Sequence, residues 1–168
     1  MRAVSGGIEI KNFSGLKTAL ITAVSVIVLD QLTKLAIVGA MYPNQMIEAI
    51  QGLLYIVFFK NTGAAFGIFA DGGWLRTVFL AATSVAAIVV MGFLIWQSRS
   101  ALMTFALSLI TGGAAGNLID RVRTGAVVDF LYFHAGKHYW PAFNVADSAI
   151  TIGVFLAIIA YMKEQRDV

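Results

Sequence analysis

ALMTFALSLITGGAAGNLI, running from Ala101 to Ile119, carries no charged side chain. A helix needs about 20 predominantly apolar residues to cross the hydrocarbon core of a bilayer, so this stretch predicts a membrane span. Its small residues, Gly112 to Gly116, let helices approach closely in lipid. Working outward, Ser98-Arg99-Ser100 precedes it, a turn so short that the segment before must fold back as an antiparallel helix. That segment, Trp74 to Gln97, is largely apolar and carries no charge apart from Arg76. Leu16 to Val38 reads as a further span despite Asp30 and Lys34, and Pro141 to Met162 as another, with Asp147 inside it. The expected fold is an all-α membrane protein with four transmembrane helices, one integral domain over residues 1–168.

Composition supports the class. The chain is 59% hydrophobic and 12% charged, where a soluble domain carries about 25% charged residues. No cysteine is present, which excludes disulfides, thiolate nucleophiles and cysteine-ligated zinc. The net charge of +3 is small and its basic residues do not cluster, so a nucleic-acid surface is not expected. Met1 to Gly15 is polar and mildly basic, and the apolar stretch behind it is too long for a signal-peptide core. It reads as a retained first helix.

Two longer connections, Ala40 to Gly73 and Asp120 to Trp140, fall on one side because the spans alternate in direction. The first contains Leu54-Tyr55-Ile56-Val57-Phe58-Phe59, a β-branched and aromatic run that reads as a strand. Gly63, Gly67, Gly72 and Gly73 punctuate the rest of that connection. A small outer β-sheet between helices 1 and 2, lying on the membrane surface, is therefore expected. Orientation is less determined. Of the 12 Lys and Arg residues, half lie with the termini and short turn and half on the other side, so the positive-inside rule ties. The basic N-terminal tail favours termini in the cytoplasm.

The acids carry the chemical signal. Carboxylates beside hydrocarbon are costly and mark functional sites. Asp30, Asp120, Asp129 and Asp147, with Asn117 and Asn144, all fall near the outer side of the predicted spans. Two carboxyls brought together share one proton and perform acid/base work. Each residue also has a simpler reading. Asp120 and Arg121 serve equally as interfacial residues reaching water. Asp129, in Val127-Val128-Asp129-Phe130, serves as a loop acid. Asp147 lies about 9 Å along a helix that starts at Pro141, where the dipole favours its charge; alternatively Asp147 or Ser148 caps a helix that starts later. Asp30 and Lys34, four apart, pair on one face and brace the first span. Asn61 sits beside Gly63 in a turn, where its amide holds either the turn or a substrate backbone. His134 and His138 lie in an extended loop with no third ligand, so they read as surface residues, and no metal or other cofactor is expected. Neither G-x-S-x-G nor H-E-x-x-H occurs.

Taken together, these segments resemble one family, the bacterial lipoprotein signal peptidases (type II signal peptidases). The resemblance rests on Asp30-Gln31-x-Thr33-Lys34, Asn61-x-Gly63-Ala64-Ala65-Phe66, Gly112-Gly113-Ala114-x-Gly116-Asn117-x-x-Asp120-Arg121, Val128-Asp129-Phe130 and Phe143-Asn144-x-Ala146-Asp147, in that order. It implies an aspartic endopeptidase of the bacterial inner membrane, active toward the outer face and working as a monomer among membrane lipids. Its substrate would be a prolipoprotein, cut on the N-terminal side of a lipid-modified cysteine, and a globomycin-type cyclic peptide would inhibit it. The implied catalytic pair is Asp129 and Asp147. Asn61, Asn117, Arg121 and Asn144 are implied to contact substrate, with Asp30, Lys34 and Asp120 in support. The principal alternative is a small proton-coupled carrier, which would distribute acids through the membrane depth; a purely structural subunit would not need the Asn/Asp pairs of the last two spans.

Overall fold

A computed structural model describes residues 13–63 and 73–166. The order of elements is α1 (Phe13–Ala40), β1 (Met46–Ile50), β2 (Leu54–Asn61), α2 (Gly73–Gln97), α3 (Ala101–Thr124), β3 (Val127–Ala135), β4 (His138–Tyr139) and α4 (Val145–Glu164). Most of the N-terminal tail, the Ala64-Ala65-Phe66 part of the second motif, and Gly67 and Gly72 lie outside the described residues. All four helices are long and apolar enough to cross a membrane. The expected class therefore holds: four apolar helices and a small antiparallel sheet.

The charge-free segment is the central post. Half of the α3 span is buried, against none of α2, and α3 packs against α1, α2 and α4. Leu20, Val28, Phe93 and Phe155 are exposed apolar side chains on the other three helices, as lipid-facing surfaces require. Packing in lipid depends on close backbone approach. At Gly113 an added Cβ would collide with the Ala146 carbonyl of α4, and at Gly116 it would lie 2.6 Å from Asp30 Oδ2 of α1. Two neighbouring turns of α3 thus bring α4 and α1 in together. Ser100 caps the start of α3, accepting from Met103 N–H at 3.2 Å. Gly125, at φ 75°, ends it, donating its N–H to Arg121 O. A left-handed cap of this kind suits glycine and turns the chain directly into β3.

The expected sheet between α1 and α2 is present, and the second connection extends it. It has four antiparallel strands in the order β1-β2-β3-β4, so the second connection supplies half of it. A lone two-stranded hairpin is at best marginally stable in water, and the apolar run of β3 is the partner that β2 needs. Met41, Phe58 and Val128 bury together, with Ile37 and Ile56 packed against them, seating the sheet on α1. His134, expected on the surface, is half-buried beside Tyr55, ring centroids 4.9 Å apart, because β3 pairing turns it into an aromatic cluster. His138 is exposed.

Span ends also differ. α3 continues to Thr124, and α4 starts at Val145 rather than Pro141. The cause is competition for backbone: Phe143 exchanges hydrogen bonds with Leu131 of β3 at 2.9 and 3.0 Å, holding residues before Asn144 out of the helix. Asn144 is the N-cap, and Asp147 completes a capping box with it. Asp147 therefore occupies the first turn of α4, not a position below it, and neither it nor Ser148 is the cap.

Candidate active site

The site forms where α3, α4 and the sheet meet. β3 carries Asp129 at 3% exposure. Opposite it, the register of β2 shifts between Ile56 and Phe59. Such a bulge re-aims the strand beyond it, and there Asn61 Nδ2 donates to Asp129 Oδ2 at 2.9 Å. Asn61 Oδ1 accepts the Gly63 N–H at 2.8 Å, so one atom of the amide holds the turn and the other the acid. The turn reading and the site reading of Asn61 are thus one arrangement.

Asp147 approaches from the first turn of α4. Its Oδ1 accepts from Asn117 Nδ2 at 2.8 Å and its Oδ2 from the Asn144 N–H at 3.2 Å. The N-terminal end of α4 faces the same carboxyl. Asn144 joins the two acids. Fully buried, it receives the Asp147 N–H on Oδ1 at 3.0 Å and donates Nδ2 to Asp129 Oδ1 at 2.8 Å.

Burial pushes the Asp129 carboxyl up to about 6. The Asn61 hydrogen bond opposes this, the nearby Asp147 charge reinforces it, and the Asn144 amide and Lys34 cation oppose it more weakly. A carboxyl that keeps its proton to higher pH than an ordinary one, beside a second and more exposed carboxyl, is the kind of pair that can divide acid from base roles.

Behind the pair lies a buried ionic cluster. Lys34 Nζ reaches Asp30 Oδ2 at 2.8 Å, Asp120 Oδ2 at 2.9 Å and Asn117 Oδ1 at 3.0 Å. Asp30 Oδ1 accepts the Ala146 N–H of α4 at 3.0 Å. Asp120 Oδ2 accepts the Val128 N–H at 3.1 Å, one residue before Asp129. Gln31, next to Asp30 in the first motif and not expected to take part, donates to Asp120 Oδ1 at 3.0 Å and to Asp30 Oδ2 at 3.2 Å. Its place beside Asp30 was the available signal. Arg121 is half-buried, touches Ser84 Oγ of α2 at 3.4 Å, and lies within electrostatic reach of Asp147, Asp120 and Asp129. Ser84 lies in no motif, so nothing in the sequence pointed to it. All nine candidate residues thus meet in one region.

Comparison with known proteins accords with this geometry. Residues 22–163 match the model of the family described as signal peptidase (SPase) II. Proteins named lipoprotein signal peptidase from Syntrophus aciditrophicus and Geobacter metallireducens are 39% and 42% identical to the chain. The alignments cover 88% of the chain in both cases, and 94% and 91% of those proteins. A relative of the same name from Azoarcus sp. is 44% identical, over 86% of this chain and 82% of its own. A solved bacterial membrane enzyme superposes with a TM-score of 0.78 at 36% identity, covering 88% of this chain and 94% of that one. A second, also described as a bacterial membrane enzyme, gives 0.79 at 35% identity, covering 90% and 92%. The chain belongs to the signal peptidase II family.

Proposed function

We propose that Asp129 and Asp147 are the catalytic pair of a membrane endopeptidase that frees a prolipoprotein from its signal peptide, on the N-terminal side of the diacylglyceryl-modified cysteine. The observation that carries this reading is Asn144, which bonds both carboxyls at once. One proton is shared. Asp147, at the helix N-terminus with two N–H donors, is the ionised member and takes a proton from the attacking water. Asp129, whose burial favours the neutral form, gives its proton to the scissile carbonyl oxygen. The C–N bond then breaks. Asp147 passes its new proton to the leaving amine, and Asp129 recovers a proton from the collapsing diol. The products are the signal-peptide carboxylic acid, which then ionises in water, and the free amine of the lipidated cysteine.

Asn61 and Arg121 are the more exposed polar partners and meet the substrate backbone. Asn117 and Asn144, both buried, serve the substrate by holding the carboxylates, with Asp30, Lys34 and Asp120 in support. Backbone contacts suit substrates that differ in sequence but share a lipidated cysteine. The enzyme acts as one integral domain and a monomer in the bacterial inner membrane, termini in the cytoplasm and site outward. A globomycin-type peptide would compete at the same carboxyls.

The test is cleavage of a diacylglyceryl-modified prolipoprotein by purified wild type, Asp129→Asn and Asp147→Asn, each checked for folding. Both variants should lose at least ~10³-fold in rate while still binding substrate. Cleavage surviving in both would remove the dyad. A proton-coupled carrier would leave lipoprotein processing unaffected by either substitution.

A further inference from the structure

Lys34 is 3% exposed, and its ammonium donates hydrogen bonds to Asp30 and Asn117 and forms an ion pair with Asp120 at 2.9 Å. The Asp30 contact lies within α1 and accounts for bracing. The other two lead elsewhere. Asn117 receives Lys34 on its Oδ1 and presents its Nδ2 to Asp147. An amide has one acceptor oxygen, and the cation at 3.0 Å, with the longer Asn144 Nδ2 contact at 3.3 Å, holds that oxygen away from the acid. Asp120 receives Lys34 on the same oxygen that accepts the Val128 N–H, and Val128 is bonded in sequence to Asp129.

We propose that Lys34 is a positioning residue for hydrolysis: through Asn117 it orients the Asp147 carboxylate, and through Asp120 it pins the strand that carries Asp129. One buried cation on α1 thereby sets the separation of two acids on different elements. This rests on the assignment of Asp129 and Asp147 as the reacting pair. Rate is sensitive to such placement, since a shift of about 1 Å can cost ~10²-fold.

Among the described residues, the charged groups around the cation and the pair include Asp30 of α1, Asp120, Arg121 and Arg123 of α3, Asp129 of β3 and Asp147 of α4. Arg121 also lies within electrostatic reach of Asp147, Asp120 and Asp129, so loss of Lys34 does not leave them without positive charge. Loss does remove one of the influences that lower the Asp129 carboxyl. The limb of the pH profile that belongs to Asp129 should therefore move to higher pH.

A cavity of about 100 Å³ is lined by Lys34 with Gln31, Leu35, Val38, Asp120 and Arg123. It gives room for the larger head of arginine. The experiment compares Lys34→Met, Lys34→Arg and the double variant Asp30→Asn/Lys34→Met, which leaves the net charge of the cluster unchanged. Each is measured on the lipidated prolipoprotein beside wild type, so that a wild type that does not cleave condemns the parent reading instead. The expected result for Lys34→Met is a kcat about 10²-fold lower, KM within about threefold, and the limb shifted upward. Lys34→Arg should recover at least tenfold of that loss and restore the limb. Should Lys34→Met fail to fold, the double variant supplies the decisive value, with the same loss of kcat expected. Wild-type kcat and pH profile in the double variant would overturn the proposal, leaving Lys34 as the neutraliser of Asp30 alone.

Discussion

At the scale of single residues, the chemistry depends on Asp129 and Asp147 having unlike surroundings. Asp129 is buried in a strand, with neutral amides at both oxygens. Asp147 is half-buried at a helix N-terminus with a backbone donor. Since burial, the Asp147 charge and their opponents leave the Asp129 carboxyl at about 6, its protonated fraction falls as pH rises through that value. An enzyme that uses Asp129 as its acid should lose kcat/KM above about pH 6, approaching tenfold per unit, in a pH-rate profile on the lipidated substrate. A profile that instead climbs through 6 would exchange the roles, with Asp129 as base. None of this was legible from the residues alone. The sequence places Asp129 between apolar neighbours, which fits a loop acid as well as a buried one; strand pairing with β2 decides between them.

At the scale of elements, the start of α4 is where local signals and tertiary pairing compete. The spans were legible because twenty apolar residues have few other fates, and the β2 run because of its β-branched and aromatic content. The position of Asp147 was not, because the backbone of Phe143 is claimed by Leu131, a contact between separate connections that no local pattern reveals. The result is a cap that has two functions. Asn144 Oδ1 holds the helix end and Asn144 Nδ2 holds Asp129. Asn144→Ser should separate them. Serine caps helices about as well as asparagine but cannot reach the second acid. The melting temperature in detergent should fall by only a few degrees. The rate of cleavage should drop about threefold to tenfold, the equivalent of one hydrogen bond to a neutral group. A loss of stability large enough to account for the lost rate would reduce Asn144 to a cap.

At the scale of the whole molecule, the two ends of the bundle are chemically unlike. The sheet, both acids and the ionic cluster occupy one end; the Ser98–Ser100 turn and the α4 C-terminus occupy the other. The class was legible from composition, but orientation was not, because Lys and Arg divide evenly between the ends. Two of the sheet-end cations are committed to the site: Lys34 is buried against Asp30 and Asp120, and Arg121 is half-buried near three acids. Setting these aside tips the balance toward cytoplasmic termini under a rule that counts Lys and Arg in loops. The chain contains no cysteine, which makes a direct test simple. His138 and Gln165 are exposed at opposite ends, and replacing either leaves the Lys/Arg count unchanged. With a membrane-impermeant maleimide added to intact spheroplasts, His138→Cys should label and Gln165→Cys should label only after permeabilisation. The reverse pattern would turn both aspartates toward the cytoplasm, and the proposed outward-facing cleavage would have to be abandoned, however well the dyad is formed.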